Sequence, residues 1–340
     1  MSNLLFPAEW APQSAIVMIW PHEQTDWAYI LDEVQACYKN IIATITRFED
    51  VILLVPNQQE KEKLATELPP RVRFITIKTN DTWARDSGPI FIKKKNHFVA
   101  LDFKFNGWGL KYAADKDNLI NQQLFNAGLY GTDVNYGNRL NFVLEGGALE
   151  TDGEGTLLTT THCLLSPNRN GEWTKDEIEN YLKNQLGLTR VLWLNHGYLA
   201  GDDTDSHIDT LARFCSPNTI AYVQCNDSQD EHYEALQKME CELKSFKTAT
   251  GEHYNLIPLP MANKVMEDSE RLPATYANFL IVNNAVLVPA YGSSEDQLAV
   301  KRLKTAFPDH TVMSINSLPL IKQHGSLHCI TMQLPQGCLK

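Results

Sequence analysis

The chain has 340 residues, and its 30 Lys+Arg against 41 Asp+Glu give a formal net charge of −11 with neutral histidines. A polyanion would have to be met by a concentrated basic patch, and the densest basic stretch is only Lys93 to Lys95. Nucleic acid is therefore excluded as the main partner, while 43% hydrophobic and 21% charged residues describe an ordinary globular chain.

Taken in chain order, the stretch 27–48 carries helical spacing and Val51-Ile-Leu-Leu-Val55 follows as a buried strand. The same succession recurs. A helix at about 174–187, with Thr174 as N-cap and early acids, precedes the strand Arg190-Val-Leu-Trp-Leu194. A helix at about 230–246 precedes Tyr254-Asn-Leu-Ile-Pro-Leu259, and one at about 294–306 precedes His310-Thr-Val-Met-Ser-Ile315. Hairpins are expected between these pairs. Thr151–Gly155 joins 141–150 to 156–163, Ser216–Thr219 joins 207–215 to 220–225, and Asn283-Asn284 joins 278–282 to 285–290. The unit is hairpin, helix, strand.

The first hairpin strand of each unit begins near Asp86, Glu145, His207, Asn278 and Cys329, at separations of 59, 62, 71 and 51 residues. A fixed period of this size signals a radial or stacked repeat. The expectation is one pseudo-symmetric α/β domain over residues 1–340, with the first unit the least regular because a second helical stretch at 58–68 intervenes before Val72–Lys78. The rival architecture, a doubly wound sheet, wants single strands alternating with helices.

Val51–Val55, one of the longest apolar runs, is far short of the roughly 20 residues of a bilayer span. Met1-Ser-Asn-Leu-Leu-Phe-Pro7 lacks the basic and apolar regions of a secretory signal. Seven cysteines without CxxC spacing fit reduced thiols in a cytoplasmic protein. Cys163, Cys215, Cys225 and Cys338 read as small core hydrophobes.

The residues a core would not choose fall at the repeated positions. Asp81, Arg85 and Asp86 lie between two apolar stretches, either as a surface turn or as a site, and Trp83 between them is an expensive residue to leave on a tip. Leu144-Glu-Gly-Gly147 puts a carboxylate within an apolar strand, as a bulge or as a functional group beside closely approachable backbone. Gly201-Asp-Asp-Thr-Asp-Ser-His-Ile-Asp209 admits a metal reading through Asp202, Asp203, Asp205, His207 and Asp209, although the spacing matches neither an EF-hand nor an HExxH helix. In strand geometry His207 and Asp209 would share a face. Cys329, preceded by His324, Gly325, Ser326 and His328, is a nucleophile candidate.

Six ordered stretches now make a specific combination: Asn80-Asp-Thr-Trp-Ala-Arg-Asp-Ser-Gly-Pro89, Phe105-Asn-Gly-Trp-Gly109, Leu144–Gly147, Asp205-Ser-His-Ile-Asp209, Arg271-Leu-Pro-Ala-Thr-Tyr-Ala-Asn-Phe279 and His328-Cys-Ile330. Together they resemble the agmatine deiminase family, one of the guanidino-modifying enzymes that also include bacterial peptidylarginine deiminases. The resemblance spans from Pro7-Ala-Glu-Trp10 to Cys329. It implies a pentein-type, five-bladed α/β propeller and no metal or redox cofactor. It further implies Cys329 as nucleophile, His207 as general acid/base, Glu145 as the carboxylate that orients and charges that histidine, Asp86 and Asp209 as the guanidinium clamp, and Trp83 as a channel aromatic. Many members carry three glycines and then Asn-Ile-His-Cys where this chain has His324-Gly-Ser-Leu-His-Cys329, a departure that bears on the pocket wall more than on the chemistry.

The implied reaction converts agmatine to N-carbamoylputrescine and ammonia, a step of putrescine biosynthesis or agmatine catabolism. Its partner is a small cationic guanidino substrate, with no nucleic acid and no membrane, and homo-oligomer formation stays open. The alternative is a peptidylarginine deiminase-like enzyme acting on protein-borne arginine. A metal-dependent amidohydrolase and a non-catalytic binding module, such as a ribosome anti-association factor, are further readings.

Overall fold

The computed structural model describes residues 4–340, so Met1 to Asn3, the start of the stretch read above for a secretory signal, lie outside it. Its strands form five small sheets of three or four strands, together with one two-stranded hairpin. In the fourth sheet, Ala212–Ser216 runs antiparallel to Thr219–Gln224, and the chain returns through the helix Tyr233–Ser245 to lay Asn255–Pro260 parallel beside it. The fifth repeats this with Leu280–Val282, Ala285–Ala290, the helix Asp296–Ala306 and Thr311–Asn316. Parallel neighbours need such a crossover.

Two units add a strand to this order. The second sheet pairs Ile90–Lys94, His97–Lys104 and Val134–Val143, and adds Leu4–Leu5 at its edge. The other is built from both ends of the chain: the C-terminal strand Thr331–Pro335 is antiparallel to Gln13–Ile19, which is parallel to Asp50–Val55 and, through it, to Val72–Thr76. The fifth repeated position thus belongs to the same unit as the N-terminal strand. No sheet closes on itself among the described residues.

The helices form for the anticipated reasons. Leu31–Ile45 buries Val34, Cys37, Tyr38, Ile41, Ile42 and Ile45, a stripe at helical spacing. Lys175–Leu186 starts with a capping box in which Glu177 N–H donates to Thr174 Oγ1 and Thr174 N–H donates to Glu177 Oε2. It stops at Gly187, whose φ of 74° suits a left-handed C-cap.

The expected strands at the repeated positions begin too early. The strand before Glu145 ends at Val143, and only Glu150–Thr151 resumes pairing, with a 3-10 turn over Gly146–Ala148 between them. His207 likewise precedes a 3-10 turn, Ile208–Thr210, and the strand starts at Ala212. Asp86 lies in the helical turn Ala84–Ser87, Asn278 ends the turn Tyr276–Asn278, and Cys329 precedes the strand from Thr331. Strand alternation therefore does not bring His207 and Asp209 together. A helical turn does, since it satisfies backbone groups locally and crowds polar side chains at a strand end.

These turns touch one another in sequence. Gly147 N–H donates to Asp86 Oδ1 at 2.9 Å, Thr275 Oγ1 donates to Thr210 O at 2.8 Å, His328 N–H faces Asn278 O at 3.2 Å, and Arg85 N–H donates to Cys329 O at 3.0 Å. The succession leads from the Asp86 turn back to it and surrounds one buried point.

Candidate active site

Gly147 marks that point. A Cβ placed on it would lie 2.5 Å from His207 Nδ1, 2.8 Å from Asp86 Oδ1 and 3.2 Å from Asp209 Oδ2. Only glycine leaves room there. Asp86 Oδ2 accepts from Trp108 Nε1–H at 2.9 Å, and its Oδ1 is 3.6 Å from His207 Nδ1. Asp209 Oδ2 faces His328 Nδ1 at 2.8 Å and lies 4.0 Å from Cys329 Sγ, while its Oδ1 is buried without a partner among the described residues. Cys329 Sγ is 3.3 Å from Asn278 Oδ1, which also accepts from His328 N–H at 2.8 Å.

Burial raises the Asp86 carboxyl to about 6, with His207 opposing and Asp209 reinforcing. Burial alone would lower His207, but the charge of Asp86, the largest raising influence, carries it up to about 10. It is an imidazolium near neutrality. Burial pushes Asp209 up, yet the bond and charge of His328 hold it below the usual carboxylate range. The Cys329 thiol is raised well above its ordinary value by burial and then by Asp209 and Asp86, so it is neutral until positive charge arrives.

Cys329, Asp86 and Trp83 open on a pocket lined further by Trp108, Tyr112, Asp26, Asp81 and Asp203. The Trp83 ring lies 5.7 Å from Trp27 on one side. On the other it rests on Gly325, where a Cβ would approach its Cζ3 to 2.1 Å. The residues of the sequence departure are tied down: His324 Nδ1 is 2.8 Å from Gly201 O, and Ser326 Oγ is 2.8 Å from Tyr291 Oη. Burial, then Asp26 and Asp117, raise Asp81 to about 7.

Glu145 behaves differently from expectation. It is fully buried, but Arg169 Nε donates to both its oxygens at 3.0 and 2.9 Å, and no hydrogen bond joins it to His207. Its influence on the imidazole is through space. Cys163 is fully buried in the core, as its sequence context suggests, and its Sγ lies within 4.8 Å of Glu145 and His207.

The metal reading of the 202–209 loop does not fit the side chains. Asp202 caps its own loop through Thr204 and Ser206, Asp203 accepts from Tyr112 Oη–H at 2.8 Å, and Asp205 pairs with Lys111 at 2.7 Å and with Arg169. Two other donor groups lie close together, Glu145/Cys163/His207 and Glu9/Glu150/His328. Arg169 already neutralises the first, and Arg213 the second.

Asn278, Trp108, His328, Arg169 and Glu9 were not identified as site residues from sequence. Asn278 occupies a repeated position, Trp108 and His328 lie in quoted motifs, and Glu9 sits in the Pro7–Trp10 opening, all usable signals. Arg169 carried none.

The sequence model of the Porphyromonas-type peptidyl-arginine deiminase family matches residues 5–335. A Porphyromonas gingivalis structure provisionally named an arginine deiminase is 52% identical, covering 99% of this chain and all of that one, with a TM-score of 0.95. A C. jejuni agmatine deiminase solved as a cysteine-to-serine variant with substrate bound is 39% identical over 99% of this chain and 97% of that one, with a TM-score of 0.92. A Lactococcus lactis protein provisionally named an agmatine deiminase is 35% identical over 97% of this chain and 95% of its own. Dimethylarginine dimethylaminohydrolase, 12% identical with a TM-score of 0.51, shares the pentein-type α/β fold.

Proposed function

The chain belongs to the Porphyromonas-type peptidyl-arginine deiminase family, and from that premise we propose that it is an agmatine deiminase, a hydrolase of linear amidine C–N bonds. The observation that carries the reading is the pair Asp86 and Asp209 beside the Cys329 thiol, with Asp209 Oδ1 buried and unpartnered. A planar cation donating N–H groups supplies what that oxygen lacks.

The mechanism follows from the charges. Docking of the guanidinium cancels the negative field that raises the thiol, which releases its proton to solvent. The thiolate adds to the guanidinium carbon, and the His207 imidazolium protonates the departing nitrogen, which leaves as ammonia. An amidino-thioether on Cys329 remains. Neutral His207 then takes one proton from water as its oxygen adds to the amidino carbon, and the adduct's remaining hydroxyl proton passes to the departing Cys329 thiolate, which yields the ureido product. Overall, agmatine and water give N-carbamoylputrescine and ammonia.

Substrate preference rests on the mouth. Asp26, Asp81 and Asp203 line it with Trp83, Trp108 and Tyr112, and the lining has no Lys or Arg. Such a wall attracts a free terminal ammonium and repels an α-carboxylate. A peptidyl-arginine, neutral along its backbone, would leave these acids uncompensated. Within this reading the five sheets are the blades of a pseudo-symmetric propeller, the chain is one cytoplasmic catalytic domain, and the reaction serves putrescine formation or agmatine catabolism.

The test is to assay agmatine, arginine and a peptidyl-arginine side by side for ureido product, with and without exhaustive chelation. Agmatine is expected to react fastest and chelation to change nothing. Cys329→Ser should bind agmatine without turning it over; turnover at the wild-type rate in that variant sinks the covalent route.

A further inference from the structure

His328 is the residue immediately before the nucleophile, and its ring is 1% exposed between two carboxylates. Nδ1 is 2.8 Å from Asp209 Oδ2, and Nε2 is 2.8 Å from Glu9 Oε2. Glu9 Oε2 is also met by Arg213 Nη2, and Arg213 Nε reaches Glu150. Ile281 N–H donates to Glu9 Oε1 at 2.8 Å. Arg213 itself donates to Ala277 O and Phe279 O and lies 4.6 Å over the Phe279 ring. The result is a buried line of alternating groups, Asp209, His328, Glu9, Arg213, Glu150, that ends on the unpartnered Oδ1 of Asp209.

We infer that His328 is a positioning residue for the deiminase reaction: by bonding Asp209 Oδ2 it fixes the carboxylate whose Oδ1 is left for the guanidinium. The inference rests on the function proposed above. Neither Asp209 nor Glu9, as a carboxylate, can donate, so the ring supplies the proton to each contact. A carboxylate held on one oxygen by a rigid donor has little rotational freedom to lose when the substrate docks. The backbone of the same residue is pinned by Asn278, whose Oδ1 accepts from both His328 N–H and Cys329 N–H. Clamp and thiol therefore share one anchored dipeptide, and the line through Glu9 and Arg213 ties it to the first strand of the fourth sheet and to the turn before the fifth.

The test uses the two amide replacements, which separate the ring's halves. Asparagine places an N–H near the Nδ1 position, and glutamine near Nε2. His328→Asn should keep the Asp209 contact and lose Glu9; His328→Gln should do the reverse. For agmatine, His328→Gln is expected to lower kcat/KM about 100-fold and His328→Asn about 10-fold or less. In a Cys329→Ser background, calorimetric agmatine affinity should fall in the same order. Losses that instead follow the thermal stability of each variant, or that are larger in His328→Asn, overturn the inference. Should both variants fail to fold, Glu9→Gln serves: a raised KM for agmatine with kcat less altered supports it, and an unchanged KM overturns it. Wild-type enzyme without ureido product from any of the three substrates refutes the proposed function instead, an outcome distinct from an inverted order in an active enzyme.

Discussion

Arg169 holds both oxygens of Glu145, at 3.0 and 2.9 Å, in a pair whose side chains are fully buried. The glutamate that resembles a histidine-orienting group is thus held by a cation 24 residues further along the chain. That cation also bonds Asp205 and Thr204 O, so it welds the turn before Glu150–Thr151 to the loop preceding His207.

Breaking the pair from the arginine side should be costly. Arg169→Met leaves Glu145 charged, buried and alone, and a loss of about 3–5 kcal/mol is expected in urea unfolding. Glu145→Gln should cost less, because Arg169 keeps Asp205. A loss under ~1 kcal/mol in Arg169→Met would show that the pair is not desolvated as its burial indicates.

Agmatine binding should depend on pH through acids. Burial and neighbouring acids raise Asp86 to about 6 and Asp81 to about 7, and a bound cation favours their ionised forms. Binding to Cys329→Ser should release protons near pH 6–7, and affinity should climb from pH 5 to 8. Calorimetry in two buffers of different ionisation heat measures both. A flat affinity would remove Asp81 and Asp86 from the cation site.

His207 makes stability fall on the alkaline side. Its folded value of about 10 exceeds the ordinary 6.5, so the folded state binds more protons between them. Its contribution is complete below about pH 6.5 and is lost as pH rises through 10. His207→Gln should flatten the decline of urea stability across that window. Asp86→Asn should bring the ring's titration down, since Asp86 is the largest influence raising it; an unmoved NMR titration would contradict that pairing.

Two glycines test the packing. Gly147→Ala puts a methyl among His207, Asp86 and Asp209, and should remove at least ~100-fold of kcat/KM while costing about 1–3 kcal/mol of stability. Gly325→Ala pushes against Trp83, which Trp27 backs, and should mainly raise KM for agmatine. Wild-type kinetics in Gly147→Ala would mean that the substrate binds elsewhere.

Local pattern was enough for much of this protein. Helical stripes such as Val34 to Ile45, the capping box at Thr174, and the turns at Ser216–Thr219 and Asn283-Asn284 are set by residues within a few positions of each other, and they appear as read. The regular return of Asp86, Glu145, His207, Asn278 and Cys329 was legible for the same reason. Their conformation was not, because a glycine-flanked carboxylate and a short polar run fit a strand or a helical turn equally well until the neighbouring turns pack against them. Partner choice was the least legible. Glu9 meets His328 across 319 residues and Arg213 across 204, and Glu145 takes Arg169 rather than His207. A buried charge is stabilised by whichever opposite charge the completed fold brings within hydrogen-bond reach, and that is a property of the assembled ring of turns, not of any segment within it.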